Sequence, residues 1–131
     1  MKIDHIAIWA HDLERLKDFY VKYFEMTCGE KYVNQNKHYS SYFLSFEGAE
    51  TRIEIMQRPD IAERTEKQSA TMGITHFSIA LDSKDEVDSL TERLRSDGFI
   101  IVGEPRTTGD GYYESVVEDC EGNWVEITIS I

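Results

Sequence analysis

The 131-residue chain is short of cysteine and of basic residues, and it contains no long hydrophobic run. Its two cysteines, Cys28 and Cys120, are too few for a disulfide framework, and without a CxxC pair they form no zinc-finger pattern. Both therefore read as thiols. Fourteen Lys and Arg stand against 25 Asp and Glu, a net charge of -11 that repels phosphate backbones and anionic lipid surfaces. Nucleic acid and membranes are thereby excluded as expected partners. No stretch approaches the length of a membrane span, and the opening "MKIDHIAIWA" alternates in polarity where a signal peptide would be uninterruptedly apolar. A cytoplasmic location is the expectation. What the chain does have is 40% hydrophobic and 11% aromatic residues, enough for one core at this length. The acidic excess reads either as a solvated surface or as attraction for metal ions and cationic ligands.

Periodicity organises the chain into two similar halves. "KIDHIAIWA" alternates as a strand, and "HDLERLKDFYVKYF" follows with Leu13, Leu16, Phe19, Tyr20, Tyr23 and Phe24 at helical spacing behind an Asp12 cap. Strands are predicted near Gly29 to Val33, Tyr39 to Phe46 and Thr51 to Gln57. A charged linker at about 58–73 comes next. "ITHFSIALD" is then a strand and "SKDEVDSLTERLRSDG" a helix, with Ser83 and Glu86 as a capping box, Val87, Leu90 and Leu94 as its stripe, and Gly98 as its end. Further strands fit Phe99 to Val102 and beyond, Tyr112 to Glu118, and Trp124 to Ile129. The order β-α-β-β-β thus occurs twice, at about 1–57 and about 74–131, within one α+β domain.

"HIAI" matches "HFSI" at an offset of 71 and "TRIEIM" matches "NWVEIT" at an offset of 72, so His5 corresponds to His76 and Glu54 to Glu126. Side chains alternate across a strand, and parity puts all four on the face opposite the apolar residues. Their neighbours Ala7, Ser78 and Ala80 are small, as the lining of a cavity would be, with Trp9, Met56 and Trp124 as apolar walls. Two imidazoles and two carboxylates suit a first-row transition metal such as Ni, Zn, Mn, Fe or Co better than Mg or Ca, which prefer oxygen alone. The structural alternative pairs each His with a Glu as salt links, or leaves the glutamates on a solvated sheet face. His11 and His38 fall in a turn and a loop and carry no assignment.

The segments "DHIAIWAHDLERLKDFYVKYFEM", "RIEIMQRP", "GITHFSIALD" and "VVEDCEGNWVEI" resemble the vicinal oxygen chelate superfamily, which includes glyoxalase I, the bleomycin and fosfomycin resistance proteins and the extradiol dioxygenases. The resemblance covers nearly the whole chain. It implies paired βαβββ modules forming a cupped mixed sheet, a divalent metal that chelates two neighbouring substrate oxygens, a small-molecule substrate and a homodimer. His5, Glu54, His76 and Glu126 match the His, Glu, His, Glu set of glyoxalase I, and the compact length resembles its bacterial, nickel-preferring form. Nickel or zinc is thus the first expectation. Two positions depart from that pattern: Trp9 stands where glyoxalase I has an Arg, and Arg58 where it has an Asn, both of which hold glutathione there.

The activity implied is a lyase or isomerase reaction that moves a proton between adjacent carbons of a hemithioacetal or related substrate. Glu126 is the base implied by position, with Glu54 second. Trp9, Arg52, Arg58 and Trp124 are the candidates facing the substrate. Two alternatives come with the same superfamily: a drug-sequestering protein of the bleomycin-resistance type, and an epimerase or isomerase acting on a substrate other than a glutathione adduct.

Overall fold

The structure, a computed structural model, describes residues 1–129 apart from the side chain of Ser69. The first half runs β1 (His5–Trp9), α1 (Leu13–Phe24), β2 (Thr27–Cys28), β3 (Tyr32–Asn34), β4 (Tyr39–Ser45) and β5 (Arg52–Gln57). The second runs β6 (His76–Leu81), α2 (Lys84–Ser96), β7 (Ile101–Thr107), β8 (Tyr113–Glu118) and β9 (Trp124–Ile129). Chain contacts divide the protein into a unit over Met1–Arg64 and a unit from Thr65 onward. The sheet of the first unit has the order β1-β5-β4-β2, with β3 also on β4, and that of the second β6-β9-β8-β7. In each sheet the opening strand lies parallel to the closing one and the other pairs are antiparallel. Both are therefore mixed sheets, and the class is α+β as expected.

Parity is obeyed in both opening strands. Ile6 and Ile8 turn away from solvent while His5, Ala7 and Trp9 are exposed, and Phe77, Ile79 and Leu81 do the same against His76, Ser78 and Ala80. Each apolar face is covered by its own helix. In the first unit, α1 buries Leu13, Leu16, Phe19, Tyr20, Tyr23 and Phe24 over β4 and β5, whose Leu44, Ile53 and Ile55 are buried. The Asp12 carboxylate accepts from Arg15 N at 3.0 Å and so opens that helix.

In the second unit the Ser83 box is reciprocal: Ser83 Oγ accepts from Glu86 N at 3.3 Å, and Glu86 Oε2 accepts from Asp82 N at 3.0 Å. Replacing Ser83 by Ala is expected to cost about 1 kcal/mol, read as a shifted urea midpoint at unchanged m-value. The buried stripe of α2 differs from the expected one. It is Val87, Thr91 and Leu94, with Leu90 only half-buried. Thr91 is admitted because its hydroxyl is satisfied twice, by Val87 O at 2.6 Å and by Ser115 Oγ at 2.7 Å.

Two strand expectations need correction. The strand expected near Gly29 to Val33 is two short strands, because four residues advance from Cys28 to Tyr32 while β4 advances three from Leu44 to Ser41. One residue is extra, and the ladder breaks there. Gly29 N still donates to Phe43 O at 3.0 Å, which keeps the segment on the edge of β4. The strand expected from Phe99 starts at Ile101, because Phe99 N is still closing the helix end on Leu94 O at 3.0 Å, past Gly98 at φ 92. Cys28 and Cys120 are both thiols and partly buried. Among the described residues, no helix is long and apolar enough to cross a membrane.

Candidate metal centre

In the first unit the parallel register sets His5 beside Arg52 and Ala7 beside Glu54. His5 and Glu54 are therefore diagonal neighbours on one face, and His5 Nε2 stands 3.5 Å from Glu54 Oε2. His5 Nδ1 donates to Asp4 Oδ2 at 2.8 Å, which leaves Nε2 as the ring's lone-pair atom. The Asp4 oxygen also accepts from Arg52 at 2.7 Å. The His5 ring N–H first, and then the Arg52 guanidinium, hold the Asp4 carboxyl below its ordinary value. The remaining Glu54 oxygen, Oε1, accepts from the Tyr39 hydroxyl at 2.8 Å. Burial, and to a smaller degree the nearby Glu54 carboxylate, push the Tyr39 phenol up, so it stays a donor.

The second unit repeats this arrangement. The register sets His76 beside Trp124 and Ser78 beside Glu126, with His76 Nε2 3.3 Å from Glu126 Oε2. Glu126 Oε1 accepts from Ser78 Oγ at 2.8 Å. A further carboxyl stands next to this pair. Glu114, on the neighbouring β8, is largely buried, and burial first and then the charge of Glu126 push its proton affinity above the ordinary value, while Arg106 pulls the other way. Glu114 thus stands in carboxyl–carboxyl contact with Glu126.

In each unit a carboxylate is held through one oxygen by a hydroxyl and turns the other towards an imidazole Nε2. An imidazole Nε2 and a carboxylate oxygen 3.3–3.5 Å apart can share a proton on the nitrogen or a metal ion between or beside them. Two donors each bound at roughly 2.1 Å to one ion at tetrahedral or octahedral angles stand about 3.0–3.4 Å apart. The His76–Glu126 pair at 3.3 Å falls within that spacing and the His5–Glu54 pair at 3.5 Å just beyond it, and the nitrogen and oxygen donor set fits a first-row transition ion. Among the described residues, no three His, Cys, Asp or Glu form a metal cage; the four expected ligands stand as two pairs, one per unit.

The substrate-facing candidates divide. Trp9 is exposed, stacks edge-on against Tyr39 with ring centroids 6.3 Å apart, and has the Arg58 guanidinium 5.4 Å from its ring. Arg58 is also ion-paired with Asp60. Arg52 is engaged with Asp4 and lies 4.2 Å over the Phe43 ring. Trp124 is half-buried, and its indole Nε1 is a buried donor with no acceptor among the described residues. A groove of about 680 Å³ opens beside Tyr39, with Asn34, Gln35, Asn36, His38 and Ser40 on its walls. His11 pairs with Glu63 at 3.2 Å. Asp4, Tyr39, Ser78 and Glu114 complete the site and were not among the residues expected from sequence. Only Ser78 carried a visible signal, as a small residue on the histidine face.

The family model described as Glyoxalase/Bleomycin resistance protein/Dioxygenase superfamily matches residues 2–127. The uncharacterized protein YqjT of Bacillus subtilis is 27% identical over 126 residues, 94% of each chain. YwbC of the same organism is 28% identical over 126 residues, 95% of this chain and 94% of its own. Among solved structures, a mutant glyoxalase I from Zea mays superposes with a TM-score of 0.81 at 25% identity, covering 98% of this chain and 44% of the maize chain. This chain therefore spans less than half the length of that relative. A possible glyoxalase from Bacillus cereus has a TM-score of 0.70 at 21% identity, covers 98% of both chains, and speaks for the fold alone. Since the family model takes in both His–Glu pairs and nearly the full length, the chain belongs to the glyoxalase/bleomycin resistance protein/dioxygenase superfamily.

Proposed function

We propose that this protein is a metal-dependent lyase or isomerase of the glyoxalase I type, acting as a homodimer on a small substrate with two neighbouring oxygens. His5, Glu54, His76 and Glu126 are its metal ligands. The observation that carries this reading is the recurrence, in both units, of a hydroxyl-held carboxylate facing an imidazole Nε2 at 3.3–3.5 Å. A salt link formed by chance has no reason to recur at matching register.

A bound divalent ion supplies Lewis acidity to the two substrate oxygens. The chain's own residues do the rest. Glu126 takes the proton from the carbon bearing the hydroxyl, the electron pair of that C–H bond moves into the neighbouring carbonyl, and Glu126 returns the proton to the adjacent carbon while the hydroxyl proton passes to the former carbonyl oxygen. Ser78 holds the non-reacting oxygen of that carboxylate, and Glu54 is the second candidate for the base. Asp4 orients His5 through Nδ1. Trp9 and the groove beside Tyr39 are the surface offered to the rest of the substrate, and about 680 Å³ lies within the usual range for small ligands.

A non-glutathione substrate is the second reading of the same site. It is favoured by Trp9 and Arg58 at the two departing positions and by the ion pair that commits Arg58 to Asp60. One experiment addresses both readings. Metal content of the purified protein is measured, the metal is stripped with a chelator, and nickel, zinc, cobalt, manganese or iron(II) is restored. Turnover is followed with the hemithioacetals that a 2-oxoaldehyde forms with glutathione and with other small thiols. The expected result is one tightly held ion per His₂Glu₂ set, turnover lost on stripping and regained with nickel or zinc, and a thiol preference that decides between the substrates. A protein that holds no metal and instead binds a cationic, aromatic drug stoichiometrically would be a sequestering protein.

A further inference from the structure

We propose that Tyr39 is a positioning residue for Glu54, fixing that carboxylate in one orientation towards the metal. This rests on the metal-site reading above.

The two glutamates have the same register but unequal surroundings. Glu54 faces Phe43 across the β4–β5 ladder, and Ser41 faces Met56. Tyr39 lies two residues further along the same face of β4, so its ring must pass over Ser41 to bring the hydroxyl to Glu54 Oε1 at 2.8 Å. The small Ser41 leaves room for that ring. On its other sides the ring meets Trp9 edge-on at 6.3 Å and Tyr32 at 6.0 Å, two contacts that restrict its rotation. His38, at φ 50, ends the short 3₁₀ turn just before β4 and delivers Tyr39 into the ladder opposite Asn34. The phenol is therefore a rigid lever, set by two neighbouring rings and a left-handed turn.

The second unit has no such lever. Val116 faces Glu126 where Phe43 faces Glu54, so Ser41 corresponds to Glu114 and Tyr39 to Tyr112. Glu114 fills the space the Tyr39 ring would cross, and Tyr112 lies before β8 begins and is exposed. Glu126 is held instead by the Ser78 hydroxyl and stands against the Glu114 carboxyl. A carboxylate with a rigid phenol on one oxygen keeps its other oxygen in place.

The test is a cobalt(II) titration of metal-free protein, followed by the visible d–d absorption. It compares wild type, Tyr39→Phe, Glu54→Gln and the double variant, with His5→Ala as the control for the site itself. Tyr39→Phe keeps the ring contacts and should leave the melting temperature unchanged, yet weaken cobalt binding by about 10- to 100-fold and alter the absorption envelope. In the Glu54→Gln background the same change should cost less than about 2-fold, because Tyr39 acts through Glu54. Wild-type affinity in Tyr39→Phe, or an equal loss in both backgrounds, overturns the proposal while leaving the metal site standing. If His5→Ala binds cobalt as the wild type does, the metal-site reading itself fails, and this proposal with it.

Discussion

Replacing Glu126 by Gln is expected to lower turnover of the metal-loaded protein by at least about 10²-fold, the lower end of what a positioned general base contributes. Glutamine has the shape of glutamate and can still accept from Ser78 through its carbonyl oxygen, so the local packing of β9 is retained. What is lost is the negative charge, and with it both the proton acceptor and one metal donor. Glu126 is on the open face of its sheet, with 15% of its side chain exposed, and its replacement removes no core contact. Circular dichroism and the melting curve should therefore match wild type. Steady-state kinetics of the nickel-loaded variant check the outcome, and activity within about 3-fold of wild type would remove Glu126 from the mechanism. Glu54→Gln, by contrast, should show its main defect in metal affinity.

The neighbouring residue carries the largest expected loss of stability. Ile127 points to the opposite face of β9, is fully buried, and faces Ser115 across the ladder with β8 and Ile79 across the ladder with β6. Its replacement by Ala removes three carbon atoms from a core bounded by Val87 and Leu94 of α2 and by Val117 and Val125, all fully buried. The cavity and the lost transfer energy together cost about 2–5 kcal/mol, a large part of the whole stability of a domain this size. Chemical denaturation measures it, through a midpoint shift at unchanged m-value. A loss below about 1 kcal/mol would show that the sheet collapses onto the gap. The two variants, one residue apart, should separate activity from stability, since period-two alternation sends one side chain to the site and the next to the core.

Some of the expectations drawn from sequence failed in instructive ways. Val87, Leu90 and Leu94 make the better apolar stripe on paper, yet Thr91 is the buried one, because Ser115 on β8 offers its hydroxyl a partner. That partner is 24 residues away, and no local pattern announces it. The break between β2 and β3 likewise depends on a one-residue difference in advance against β4, which exists only once the strands are paired. Arg52 has the parity of a substrate-facing group, and which groups meet its guanidinium, Asp4 and the Phe43 ring, is likewise visible only in the fold.

Alternation along a strand and spacing along a helix are local properties, so the chain alone determined which face each residue occupies, where α1 and α2 are capped, that the pattern occurs twice, and that His5, Glu54, His76 and Glu126 share the polar faces. Register between strands is not local. The alignment of β1 with β5 and of β6 with β9 joins residues 47 and 48 positions apart, through hydrogen bonds that no local pattern specifies. Only the tertiary structure, therefore, decided that each imidazole stands diagonal to its carboxylate, that Tyr39 reaches Glu54 over Ser41, and that Glu126 has Ser78 and Glu114 beside it instead of a phenol.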